Sequence, residues 1–261
     1  MGEGQRRLIA CGVTALLVAV PLAFALPPVS VAGAAALCAA AVGLSWPSLA
    51  AWAVERLEHE LDLRLAANRR VGLARLVDRD PIVRALAPDW YLVARRGTLA
   101  SLVGDHRHAI PLLKRAIQLC PDEDLLPLRD ELAISLIGFG ADKEAEQLLR
   151  TMIAEGAESP ERLGLLGHIM LRRNQSADAI ALLERATHGV ALGVAALRIR
   201  CDLAEAYARA GKVDEAQETM RVAREIIVPD DLELRHRVER ASEVVERAAA
   251  TMRALKAAQR H

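Results

Sequence analysis

The residues best suited to chemistry lie in one short stretch, GDHRHAIPLLKRAIQLCP, running from Gly104 to Pro121. His106 and His108 stand one residue apart, and Cys120 follows twelve positions after His108. Two imidazoles and a thiol are the donors that zinc and other borderline metals take. A structural or catalytic zinc site, however, needs a third or fourth ligand at fixed spacing, and His-x-His here has none. The four cysteines, Cys11, Cys38, Cys120 and Cys201, contain no CxxC pair. A phosphate-cradling glycine loop, HExxH and GxSxG are all missing from the chain. The two histidines therefore read as turn residues in solvent, and the sequence assigns no catalytic residue, no metal ligand and no cofactor.

Composition agrees with a non-enzymatic helical protein. The 261 residues carry 34 basic and 34 acidic side chains, so bulk charge gives no reason to expect nucleic acid. Aromatic residues make up 3%, which is low for an enzyme pocket or a β-sandwich core. Alanine, leucine, arginine and glutamate dominate, a helix-forming set. Only four of the basic residues are lysine, which with the abundant alanine fits a GC-rich bacterial genome.

The elements that would position any site begin with two uncharged runs, 8–26 and 29–54, joined through Pro27-Pro28. Each is long enough for a membrane-spanning helix of roughly 20 residues. Arg6 and Arg7 precede the first, while Arg56, Arg64, Arg69 and Arg70 follow the second. Positive flanks with an uncharged link predict a transmembrane hairpin with both termini in the cytoplasm of a bacterial inner membrane. Trp46 and Trp52 fall where the second span should meet the interface. Pro21 predicts a kink in the first span. Small residues recur every four positions at Cys11, Ala15, Ala19 and Ala23, and again at Ala35, Ala39 and Gly43, so two helices can approach closely. A competing reading takes the first run, ending in Ala23 to Ala25, as a cleaved secretory signal.

From Glu55 the chain becomes amphipathic. Leu57, Leu61, Leu65, Leu73 and Leu76 stand among charges, which predicts a helical linker over 55–89 that carries the second span out of the membrane. Asp80-Pro81 reads as an N-cap followed by a first-turn proline, so a new helix starts there.

Beyond the linker the chain repeats. An alanine returns at Ala109, Ala145, Ala179 and Ala216, at intervals of 145−109 = 36, 179−145 = 34 and 216−179 = 37. Four residues later come Leu113, Leu149, Leu183 and Met220, and three after those Ala116, Met152, Ala186 and Ala223. Twelve before each alanine sit Gly97, Ala133, Gly167 and Ala204. Gly104, Gly140, Asn174 and Gly211 mark the turn in each unit, and Pro121 and Pro229 close the first and last. The second unit departs most, with Met152 for alanine and no terminal proline. The 36- and 37-residue intervals predict longer connections there.

This pattern resembles the tetratricopeptide repeat family over 90–230, about half of the chain. The resemblance implies an all-α fold: an α-solenoid of about four helix pairs, in which small residues sit where helices cross and large ones fill the gap to the next unit. It also implies a binding groove lined by the first helix of each unit. The family's groove positions fall on Tyr91, Thr98 and Leu102, then Asp130, Ile134 and Ile137, then His168, Leu171 and Arg172, and finally Arg198, Glu205 and Arg209. The lysine and asparagine set that clamps a peptide carboxylate in chaperone-binding members is missing. The first half of this groove is apolar and the second basic, which suits a protein or peptide ligand with an acidic end. The last stretch, 231–261, reads as a charged amphipathic helix that caps the array, the alternative being a helix that pairs with another chain. The expected function is that of a membrane-anchored protein–protein interaction scaffold, held to lipid by the hairpin and presenting its groove on the cytoplasmic side. The alternative is an accessory or assembly subunit that contacts a membrane enzyme or transporter through the hairpin.

Overall fold

The structure is a computed structural model that describes residues 13–14, 28–66, 73–190, 192–226 and 232–259. Pro21 and nearly all of the first uncharged run lie outside the described residues. All regular structure among the described residues is helical. The chain divides into two compact units, Met1–Phe139 and Gly140–His261.

The first unit opens with α1, Pro28–Ala66, a single helix of 39 residues. The second apolar run and the first part of the linker are thus one unbroken element. Pro47 lies inside it, where its missing N–H removes one backbone bond, and the Ser45 hydroxyl donates to the Val42 carbonyl at 3.2 Å. The two halves of α1 differ in what surrounds them. Leu37 and Leu44 are 74% and 83% exposed, whereas Ala53, Leu57 and Leu61, spaced one turn apart, are buried. Among the described helices, only α1 is long and apolar enough to cross a membrane.

Two short helices follow, α2 (Leu73–Arg79) and α3 (Pro81–Leu86). They are separated by Asp80, whose carboxylate accepts from the Ile82 amide at 2.9 Å and the Val83 amide at 3.1 Å. Next come α4 (Asp89–Leu102), α5 (His106–Leu119), a 3-10 turn over Asp122–Asp124, and α6 (Leu125–Phe139). Ala53, Leu57 and Leu61 of α1 form one core with Leu73 and Val77 of α2, Val83 of α3, Ala87, and Leu92 and Leu99 of α4. The stretch expected to be a linker therefore supplies a packed layer against the first repeat helix. Burying Leu57, Leu61, Leu73 and Val77 at about 1.5–3 kcal/mol each contributes roughly 6–12 kcal/mol gross. That is comparable to the net stability of a whole domain, about 5–15 kcal/mol, so cutting the chain at Asp80 would unseat this unit.

The second unit holds α7 (Asp142–Ala154), α8 (Pro160–Arg172), α9 (Ser176–Gly189), α10 (Gly193–Arg209), α11 (Val213–Arg224) and α12 (Leu232–Ala258). The repeating positions are buried throughout both units. Ala109, Ala145, Ala179 and Ala216 are 0% exposed, as are Leu113, Leu149 and Leu183. Met152 is also fully buried, so the methionine of the divergent unit occupies an interior site. A Cβ on Gly167 would lie 2.5 Å from Leu183 Cγ, and one on Gly97 would lie 2.9 Å from Leu113 Cγ. These contacts explain why small residues recur twelve positions before the alanine.

The turns take left-handed backbone at Gly104, Gly140, Asn174 and Gly211, with φ of 81°, 88°, 59° and 77°. The longer intervals have local causes. The 3-10 turn is inserted between α5 and α6, and α10 is a 17-residue helix. At the chain's end, Leu234, Ala241 and Val245 of α12 join Leu197 and Cys201 of α10 and Met220 of α11 in one core. The end of α12, beyond Met252, is exposed.

Candidate functional site

The two histidines that opened the sequence question belong to a helix rather than to the turn before it. Asp105 is the N-cap of α5 and accepts from the His108 amide, so the helix starts at His106. His108 is exposed, and its Nδ1 lies 2.8 Å from the Asp105 carboxylate. That bond, more than anything else, holds the Asp105 carboxyl below the usual carboxylate range. His106 is half-buried and lies over Gly138 of α6, where a Cβ would come within 2.3 Å of its Nε2. The solvated-turn expectation thus fails for His106, because α6 offers a glycine for the ring to lie on. Among the described residues no group of three or more His, Cys, Asp and Glu is placed to hold a metal. Burial raises the Cys201 thiol to about 12 and also raises that of Cys120, which leaves both protonated.

In the first unit, the groove positions on α4 and α6 differ in accessibility. Leu102 and Ile134 are exposed, while Thr98, Asp130 and Ile137 are half-buried. Tyr91 does not face open solvent. Its hydroxyl donates to Glu58 of α1, and burial pushes its ionisation well above the ordinary phenol range. Glu58 also pairs with Arg95 of α4. Burial lowers the Arg95 pKa, partly offset by the charge of Glu131 on α6, and burial raises the Glu131 carboxyl. The lower half of α1 therefore lies over the start of this apolar face. Deeper in the unit, the Ser135 hydroxyl donates to the Ser101 hydroxyl at 2.9 Å, both side chains being buried.

In the second unit, most groove positions already have partners in the chain. Leu171 is buried and offers little surface. Arg172 pairs with Asp142 at 3.0 Å. Arg209 donates to the Leu171 carbonyl at 2.8 Å and to Asn174 Oδ1 at 3.1 Å, and it pairs with Glu205. Arg209 thus closes the end of α8 and the turn after it, a structural task. Arg198 is half-buried. His168 Nδ1 donates to Asp202 Oδ2 at 3.0 Å, and Arg237 of α12 donates to Asp202 Oδ1 at 2.9 Å. The basic half read from the sequence is largely neutralised by the protein itself.

Sequence reasoning missed Glu58, Ser101, Ser135, Asp202 and Arg237. A signal for four of them was present. Ser101 and Ser135 are 34 residues apart, as are His168 and Asp202, and Arg237 follows Asp202 by 35. Polar residues recurring at the repeat interval on adjacent first helices mark rungs where those helices meet. Buried polar groups need such partners.

No protein-family model matches the chain, and no curated protein matches it. Solved structures do. A thermophilic TPR protein from Thermus thermophilus superposes with a TM-score of 0.54 at 18% identity, over 75% of this chain and 98% of that one. The 41-end form of MamA from Desulfovibrio magneticus RS-1 gives 0.50 at 15% identity, over 67% and 94%. Such likeness at low identity speaks to architecture, and it agrees with the buried alanine register and the left-handed turns. The chain has the tetratricopeptide-type helical-repeat fold.

Proposed function

We propose that the protein is a membrane-anchored interaction scaffold that presents its repeat face to a protein ligand on the cytoplasmic side of a bacterial inner membrane. The observation that carries this reading is α1. Its exposed apolar half and its buried half belong to one helix, so whatever holds the first half also orients the first unit. Confinement to a surface raises the effective concentration for partners on that surface.

The ligand engages the first unit through apolar contacts at Leu102, Ile134 and Ile137. In the second unit, an acidic segment would compete with Asp142 for Arg172 and with Glu205 for Arg209. In each pair the carboxylate is largely buried, 18% exposed for Asp142 and 15% for Glu205, so an acidic segment would displace a partly buried partner and adds selectivity rather than the bulk of affinity. The first uncharged run completes a hairpin with α1, and the termini stay in the cytoplasm.

Photo-crosslinking in native membranes tests this reading. A photoreactive residue at Leu102 or Ile134 should give one shared adduct. The same residue at the exposed Lys114 or Arg150, on second helices of their pairs, should not. Adducts from Lys114 and Arg150 with none from Leu102 and Ile134 would place the working surface elsewhere.

A further inference from the structure

We infer that a second part of the first unit, α3 with the turn into α4, lies in the interfacial layer of the bilayer beside Trp52 and is held there by Ile82, Leu86 and Trp90. This rests on the reading of α1 as a membrane span.

The depth of this corner follows from its bonds to α1. The last uncharged residue of the span is Val54. Trp52 is half exposed, and the Arg56 guanidinium lies 5.6 Å from the centre of its ring. The same guanidinium pairs with Asp80, the N-cap of α3. One guanidinium thus ties the start of α3, with Ile82, to the level of Trp52, and Val83 and Ala87 share one buried core with Ala53 and Leu57. Contacts of α4 give the same depth. Tyr91 and Arg95 both reach Glu58, one turn past Val54, so the start of α4 also lies against this part of α1.

The side chains at this corner suit an interface. Ile82 is exposed, Leu86 and Trp90 are half-buried, and Leu49 and Trp52 of α1 are exposed as well. Trp90 meets Tyr91 edge-on with ring centres 6.1 Å apart, which fixes its orientation. Tryptophan prefers the headgroup level, where one edge is wet and the ring body is not. Charge at the corner is mixed: Arg56 is paired with Asp80, and Arg79 and Arg84 stand near Asp89 in sequence. The recognised feature is thus the apolar–polar boundary of a phospholipid bilayer, not an anionic headgroup. A second contact beside the span would restrain tilt and rotation of the first unit about α1.

The chain has three tryptophans, Trp46, Trp52 and Trp90, so fluorescence can isolate each. The full-length protein would be reconstituted into phosphatidylcholine vesicles containing lipid brominated near the top of the acyl chain, a short-range quencher. The W46F/W52F protein reports Trp90, and the W46F/W90F protein reports Trp52. A second reporter, Ile82→Trp at an exposed position in a background without native tryptophan, does not depend on the fit of Trp90. Val103→Trp in that background is the control, since α4 carries it about 20 Å farther along. Trp90 and Ile82→Trp should lose a fraction of their emission comparable to that lost by Trp52, with Val103→Trp unaffected. Quenching of Trp52 with neither Trp90 nor Ile82→Trp quenched would overturn the inference and leave the span intact. Equal quenching at Val103→Trp would overturn it by laying the whole unit on the membrane. No quenching of Trp52 would remove the span reading and this inference together.

Discussion

Replacing Gly167 by alanine separates the repeat packing from ordinary helix propensity. Glycine inside a helix is less favourable than alanine by about 0.8–1 kcal/mol, so an unhindered Gly→Ala change stabilises. At Gly167 the new Cβ would stand 2.5 Å from Leu183 Cγ and 2.8 Å from its Cδ2. Leu183 is fully buried, and the approach is to its branched Cγ rather than to the end of the side chain alone. Overpacking of this kind costs about 1–3 kcal/mol. The two effects oppose, and the clash wins by about 1 kcal/mol near the middle of those ranges. For a chain of this size that lowers Tm by about 2–4 °C. Gly138→Ala is the comparison. The three atoms nearest its Cβ would all belong to the ring of His106, which is half exposed and whose buried Nδ1 has no hydrogen-bond partner among the described residues. The imidazole can rotate toward water, so Gly138→Ala should be neutral or mildly stabilising. Thermal unfolding of the detergent-solubilised full-length variants, followed by circular dichroism, gives the two signs. A rise in Tm for Gly167→Ala would refute the close-crossing argument, as would equal losses for both variants.

Two further outcomes follow from polar groups. Ser101→Ala leaves the Ser135 hydroxyl buried without its acceptor, at a cost of about 1–3 kcal/mol, whereas S101A/S135A removes both groups and should recover much of that loss in denaturant titrations. Asp80 is pulled two ways: burial raises its carboxyl, but the Val83 and Ile82 amides and Arg56 together hold it below the ordinary carboxylate value. Its contribution is therefore complete above the unfolded-state pKa, near 4, and is lost as pH falls through the lowered folded value. Asp80→Ala should cost about 1 kcal/mol at neutral pH, and the difference from the natural protein should shrink in acid. A difference that stays constant down to the acid limit would mean that the cap is not made by the carboxylate.

The repeat register was legible because a close helix crossing admits only small side chains. Gly97, Gly167 and the four shared alanines carry that constraint openly, and Gly104, Gly140, Asn174 and Gly211 carry the backbone constraint of the turns. The layer made by α1, α2 and α3 was harder to read. Its spacing of Leu57 and Leu61 was visible, but Asp80-Pro81 breaks its second helix, and its buried residues are leucine and valine where the repeats use glycine and alanine. What covers Tyr91 could not be read for the same reason. Partners of the groove arginines were illegible because carboxylates are frequent, and sequence does not say that Asp142 rather than another acid meets Arg172. His106 was misplaced because nothing near it in sequence points to Gly138, 32 positions on. The apolar groove positions Leu102 and Ile134 are exposed, whereas Leu171 is buried on α8, which approaches α10 tightly where Gly164 faces Ile199.

The central claim is that α1 fixes the repeats to the cytoplasmic face of a membrane, and the location of the C-terminus tests it most directly. Fusions of alkaline phosphatase and of green fluorescent protein after His261 would be expressed in a bacterial host and assayed in whole cells. Alkaline phosphatase gains activity only after export, and the fluorescent protein matures only in the cytoplasm. The account predicts a membrane-bound, fluorescent fusion and an inactive phosphatase. An active phosphatase with a dark fluorescent fusion would contradict it and would favour a cleaved signal ahead of α1.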